Sequence, residues 1–117
     1  MNKVNERAIR DDAEKPRMAL IPPRAIREVG KALTYGAKHY KDQYNYLRGG
    51  MTTNQLLSAC QRHILEYQCC NGADTESNVH HIACAAANLL MLMEGILLDV
   101  LVDDRYDEMA LTFKDAG

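Results

Sequence analysis

Residues 83–93 read Ala-Cys-Ala-Ala-Ala-Asn-Leu-Leu-Met-Leu-Met, apolar at every position except Asn88. A helix that is apolar on all sides must be covered on all sides. Two other helices of a short chain do this with difficulty, so the segment predicts the long central helix of a dimer or larger assembly. An opening within Asp74-Thr75-Glu76-Ser77 offers several capping residues and acidic side chains suited to a helix N-terminus. The helix is then expected to run to about Leu101. The wider stretch Ile82–Val102 is broken by Asn88, Glu94 and Asp99 and makes a poor membrane span.

The 117-residue chain fits one small domain. At 47% hydrophobic and 26% charged it has the balance of a globular protein. A formal net charge of -2 argues against non-specific attraction to nucleic acid, so no nucleic-acid partner is expected. The N-terminal residues carry charges throughout, unlike a secretory signal, and Cys60, Cys69, Cys70 and Cys84 form no CxxC pair. Free thiols and a cytoplasmic location are the simplest expectation.

Residues 1–15 are polar without apolar period and are expected to form an arm; 16–117 are expected to form a single helical domain. Pro22-Pro23 excludes an earlier helix and suits the first turn of one over about 23–40, with Ile26, Val29, Leu33, Ala37 and Tyr40 on one face. Residues 41–50, ending in Gly49-Gly50, read as a long loop of the kind that often carries function. Thr52 and Gln55 have capping-box spacing at the start of a second helix, which Asn71-Gly72 ends. A short final helix is expected around Tyr106–Phe113. No strand is predicted, and the fold class is an all-α helical bundle.

Several constellations are candidates for chemistry. On the second helix Arg62, His63 and Glu66 share a face. They read either as a surface ion pair beside a half-buried histidine or as a phosphate grip and a metal ligand. The turn Gly72–Asn78 reads as helix capping, or as an anion or cation site built from free amides, Asp74 and Glu76. His81, Cys84 or Ala85, and Asn88 line one stripe of the third helix. A buried Asn needs a specific polar partner, either a neighbouring subunit or a ligand, and the small residues around it admit a second helix or a planar base. Tyr35, Tyr40, Tyr44 and Tyr46 either pack or stack on a base, with Lys38 beside them. Lys15 and Arg17 flank Pro16 as solvated charges or as a phosphate clamp.

In order, Lys15-Pro16-Arg17, Leu20-Ile21-Pro22-Pro23, Tyr35-Gly36-Ala37-Lys38, Arg62-His63, Gly72, Asp74, Glu76-Ser77, His81 and Asn88 resemble a family. It is the small phage-associated dATP/dGTP diphosphohydrolases, the MazZ-like branch of the MazG-related all-α nucleotide pyrophosphohydrolases. The resemblance covers roughly residues 15–93. It implies an oligomeric, MazG-like bundle with its site between subunits. The implied reaction takes a purine deoxynucleoside triphosphate to monophosphate and pyrophosphate with Mg²⁺ or Mn²⁺, inside a phage-infected host. Carried over, Glu66, Asp74 and Glu76 become candidate metal ligands or partners of such ligands, and His63 and His81 become candidates for a ligand or proton-transfer role. His63, Glu66, Glu76 and His81 become catalytic candidates. Lys15, Arg17, Tyr35, Lys38, Arg62 and Asn88 become substrate contacts.

The sequence also departs from the family pattern. Helix two carries a single carboxylate, Glu66, and Cys84 stands where a second histidine is usual. Asn78 replaces a glycine after Glu-Ser but tolerates a left-handed backbone. Tyr44 or Tyr46 stands in for a loop tryptophan. These changes thin the hard-cation ligand set. The second expectation is therefore a non-catalytic protein that sequesters a nucleotide or a nucleotide-derived signal in the same pocket.

Overall fold

The computed structural model describes residues 14–39, 42–70 and 72–107. It places three helices in chain order: α1 (Pro23–His39), α2 (Thr53–Cys69) and α3 (His81–Leu97), with short 3₁₀ turns at Met18–Leu20 and Asn45–Leu47. Among the described residues there is no β-strand, only isolated bridges. The all-α class is as expected. Among the described residues no helix is long and apolar enough to cross a membrane.

α1 begins at Pro23, where a missing N–H costs nothing, and its first bond runs from the Ile26 N–H to the Pro22 carbonyl at 3.0 Å. Lys38 and His39 complement the dipole in its last turn. Tyr40, expected at its end, lies outside the described residues. The 42–50 loop then turns back. The Asp42 carboxylate accepts from the Tyr44 N–H and pairs with Arg48. Gly49 and Gly50 have φ of 97° and 89°, a region that side chains rarely enter, which frees the chain to turn into α2.

α2 opens on the expected capping box. The Gln55 N–H donates to Thr52 Oγ1 at 3.1 Å, and the Thr52 N–H donates to Gln55 Oε1 at 2.8 Å. Tertiary structure adds a second cap. The chain after α3 folds back, so that the Asn54 N–H donates to the Asp104 carboxylate at 2.8 Å and the Thr53 N–H to the Val102 carbonyl. Residues 103–107 are non-helical, and the rest of the expected final helix lies outside the described residues.

α3 packs against both α1 and α2. Its core face is built from small side chains: Ala83, Cys84 and Ala87 meet Val29 of α1 and Val79. Small residues bring helix axes close and place side-chain polar groups of neighbouring helices within reach of one another. Leu56 and Cys60 of α2 are buried beside them. A side chain such as Leu56 contributes about 1.5–3 kcal/mol through that burial.

The expected long apolar helix is corrected at both ends: α3 has 17 residues. Residues 72–80 close on themselves instead of joining the helix, and His80 becomes its cap, with Nδ1 accepting the Ile82 N–H at 3.0 Å. At the other end the Asp99 N–H donates to the Ile96 carbonyl and the Val100 N–H to that of Gly95. This is the Schellman pattern, with Asp99 at φ 55° in the place glycine usually takes. Nor is the helix covered all round within one chain, since Leu89, Leu90, Met93, Ile96 and Leu97 are exposed.

Two substitutions test these ends in opposite directions. Thr52→Ala removes the capping box and is expected to lower unfolding free energy in urea by about 1 kcal/mol. Asp99→Gly relieves the left-handed backbone and is expected to raise it by about 0.5–1 kcal/mol.

Candidate metal centre and an adjoining cavity

The loop between α2 and α3 is built around one carboxylate. Asp74 Oδ2 accepts from the Ser77 N–H at 2.9 Å and from Ser77 Oγ at 2.8 Å. The Asp74 N–H donates to the Val79 carbonyl, and the Asn78 N–H to that of Asp74, each at 2.8 Å. Asn78 sits at φ 59°, the left-handed conformation its side chain tolerates. Ala73 bridges His80, and the His81 N–H donates to the Gly72 carbonyl. Gly72 is required for space: a Cβ there would stand 2.8 Å from His80 Nε2. The His80 ring also lies against Tyr67 of α2, with centroids 5.4 Å apart.

This loop delivers Asp74 to two histidines. His81, the first residue of α3, is buried, and its Nδ1 lies 2.9 Å from Nδ1 of half-buried His63 on α2. One ligand atom from each of His63, Asp74 and His81 falls within 4.8 Å of the others. Because the two Nδ1 atoms form a hydrogen bond, one ring donates and the other accepts. Two imidazoles on a metal at about 2.0–2.1 Å have nitrogens about 3.3 Å apart, so a few tenths of an ångström of opening admits an ion. With Oδ2 held by Ser77, Asp74 keeps Oδ1 for a cation. The donor set therefore fits a divalent metal.

The protonation states agree. Burial lowers the pKa of His63 below the ordinary 6.5; Asp74 pulls it up, while His81 and Arg62 push it further down. Its ring is thus neutral at pH 7 and keeps a lone pair. Burial raises Asp74, but the two Ser77 bonds and the imidazoles outweigh it and hold the carboxyl below 3.8. Cys84 is raised by burial, and its thiol faces the Val79 carbonyl at 3.9 Å. It remains a thiol outside the ligand group.

The other sequence candidates are spread around this centre. Glu66 and Glu76 are exposed and outside the ligand group. Lys15, Arg17, Lys38 and Arg62 are exposed and form no ion pair among the described residues. Arg62 therefore does not make the surface pair with Glu66. Tyr35 packs on His39, with ring centroids 4.2 Å apart. Asn88 is half-buried and donates from Nδ2 to the Cys84 carbonyl at 2.9 Å.

Asn88 also lines a cavity of about 540 Å³ between α1, the 42–51 loop, α2 and α3. Gln43, Tyr44, Asn45, Tyr46 and Gln55 contribute to its wall, and among the described residues no charged side chain does. Tyr46 is raised above 10.0 by burial, then by Glu94 and Tyr44, and stays a neutral phenol. Ala59 of this wall is one helical turn from His63, and Asn88 is two turns from His81. Cavity and ligand group thus share one face of the α2–α3 pair, separated along α3 by about 10 Å. The loop length and Asn88 signalled this pocket in the sequence. The part played by Gln43, Asn45 and Gln55 had no such signal, because isolated amides on loops and caps are commonplace.

A pH dependence follows from His63. Between its folded value and 6.5 the unfolded chain binds more protons than the folded one. Stability therefore rises with pH through that window, is complete above 6.5, and is lost as pH falls through the folded value. His63→Ala is expected to flatten the slope of the urea midpoint below pH 6.5, measured with chelator present.

A family model described as dATP/dGTP diphosphohydrolase, N-terminal, matches residues 5–105. A protein of Salmonella phage PMBT28 named dATP/dGTP diphosphohydrolase is 36% identical over 84 residues, covering 72% of this chain and 28% of the phage protein. The chain thus spans less than a third of that relative's length. No solved structure matches it. Since the matched residues take in all three helices, the ligand group and the cavity, the chain belongs to the dATP/dGTP diphosphohydrolase N-terminal family.

Proposed function

We propose that the protein hydrolyses purine deoxynucleoside triphosphates to the monophosphate and pyrophosphate, with a divalent cation held by His63, Asp74 and His81. The observation that carries this reading is the convergence of those three ligand atoms within 4.8 Å, in a chain of this family. Two imidazoles and one carboxylate suit a first-row ion such as Mn²⁺ better than Mg²⁺, which prefers oxygen ligands. Such an ion, when bound, neutralises phosphate oxygens and acidifies a bound water.

The remaining work falls to the chain's own groups. Water adds to the α-phosphorus, the bond to the bridging oxygen breaks, and pyrophosphate leaves with that electron pair. His63 and His81 are occupied as ligands, so the water's proton goes to Glu66, one turn from His63, or to Glu76, two residues from Asp74. Arg62, Lys15, Arg17 and Lys38 supply positive charge to the phosphates; Arg62, one residue before His63, is the nearest in sequence to the ligand group. The reading includes a homo-oligomer, in which a second copy covers Leu89, Leu90, Met93, Ile96 and Leu97.

One observation favours a second reading. The ligand group contains a single carboxylate, which is thin for phosphoryl transfer with a hard cation. Sequestration of an intact nucleotide in the same site is that alternative.

The test is to incubate the protein with dGTP or dATP and Mn²⁺ and to follow products by phosphorus NMR. Monophosphate and pyrophosphate are expected in equal amounts. Asp74→Asn and His81→Ala are expected to lower kcat/KM by about a hundredfold or more. Nucleotide retained intact and bound one-to-one selects sequestration; neither binding nor turnover removes both readings.

A further inference from the structure

The cavity beside the ligand group differs from it in kind. Among the described residues no charged side chain reaches its wall, so it is a poor place for a triphosphate, whose burial without counter-charge is costly. It is not a purely apolar groove either, since four carboxamides, Gln43, Asn45, Gln55 and Asn88, line it. Its volume of about 540 Å³ is of the size that encloses a small planar ligand.

Two of the amides are held by bonds that define which of their atoms remain available. Gln55 Oε1 accepts the Thr52 N–H, so both of its Nε2 hydrogens are left to donate. Asn88 Nδ2 donates to the Cys84 carbonyl, so Oδ1 is left to accept. A fixed donor and a fixed acceptor on facing helices match the edge of adenine (amino donor, ring-nitrogen acceptor) and equally that of guanine (ring N–H donor, carbonyl acceptor). Tyr44 is 53% exposed although it lines the cavity, the placement of a ring that closes over an inserted base. The offset of about 10 Å along α3 is one that a deoxyribose and its 5′-phosphate can bridge.

We propose that this cavity seats the purine base of the nucleotide, with Gln55 donating and Asn88 accepting at its edge and Tyr44 stacked on its face. The assignment rests on the nucleotide reading above, yet it makes a claim that hydrolysis alone does not. The base is recognised without phosphate and without metal, by residues that leave the ligand group untouched.

Gln55→Glu is the informative variant. Glutamate at this position preserves the capping box, and with it the fold, while removing the free donor. Asn88→Ala removes the acceptor from a side chain bonded only to its own helix. The experiment titrates deoxyguanosine, deoxyadenosine and thymidine into the protein with chelator present, following Gln55, Asn88 and Tyr44 resonances by NMR. Melting temperature serves as the check on folding.

Saturable shifts are expected with both purine nucleosides at millimolar concentration, weakened roughly tenfold in each variant. Nucleoside binding in a protein that fails to hydrolyse triphosphates supports the cavity assignment and removes only the hydrolytic reading. Three results overturn the assignment: no nucleoside binding in a protein that does hydrolyse triphosphates, folded variants that bind purines as the parent does, or thymidine bound as tightly as the purines.

Discussion

The closed loop of residues 72–80 governs the rest of the molecule. The acceptors on Asp74, Gly72 and Val79 take up amide protons that would otherwise lie free in the first turn of a helix. Helix formation is thereby postponed to His81. Since each residue turns a helix by about 100°, the residue at which α3 begins decides which side chains face α2. With the start at His81, that ring meets His63, and Asn88, two turns on, reaches the cavity. The capping role passes to His80, for which Gly72 leaves room.

The same loop combines structural and chemical duties in one side chain. Asp74 holds the turn through Oδ2, which also keeps its carboxyl ionised against the opposing effect of burial. His63 is held neutral chiefly by burial, despite the pull of Asp74. An anionic oxygen at Asp74 and a neutral imidazole at His63 are the states in which these groups would bind a cation. Cys84 shows the complementary case. It packs in the small-residue core between α1 and α3, where burial raises its pKa, and it lies outside the ligand group.

Charge is segregated along the α2–α3 pair. Ionic ligands gather where the loop meets the helices, and the neutral amides and tyrosines gather one to two turns away. A nucleotide is divided in the same way, into a charged phosphate end and a neutral base end. In the proposed reading, this correspondence ties the two features to one ligand. It also explains why the small residues of α3 matter to the site as well as to the core. With larger side chains at Ala83 and Ala87, α1 and α3 would stand further apart and the cavity that both line would change shape.

Much was legible in the sequence because it depends on local chemistry. Pro23 at the first turn of α1, the Thr52–Gln55 box, the all-helical pattern and the tolerance of Asn78 for a left-handed backbone follow from residues a few positions apart. His63, Asp74, His81 and Asn88 stood out by residue type and order, and the family resemblance rested on the same positions. What local reading missed came from contacts between distant segments. It extended α3 through Asp74–Ser77 because a capped helix and a closed loop use the same residues, and only the meeting of Gly72 with His80 and Tyr67 with the loop distinguishes them. It treated Gln55 as a cap alone, since the cavity facing its other amide atom exists only once α1, the 42–51 loop and α3 have packed. The amino-acid order determined which helices form and which polar groups are present; tertiary packing decided which of those groups share a site, because a separation of 18 residues in the chain becomes 2.9 Å between His63 and His81 only after α2 and α3 have docked.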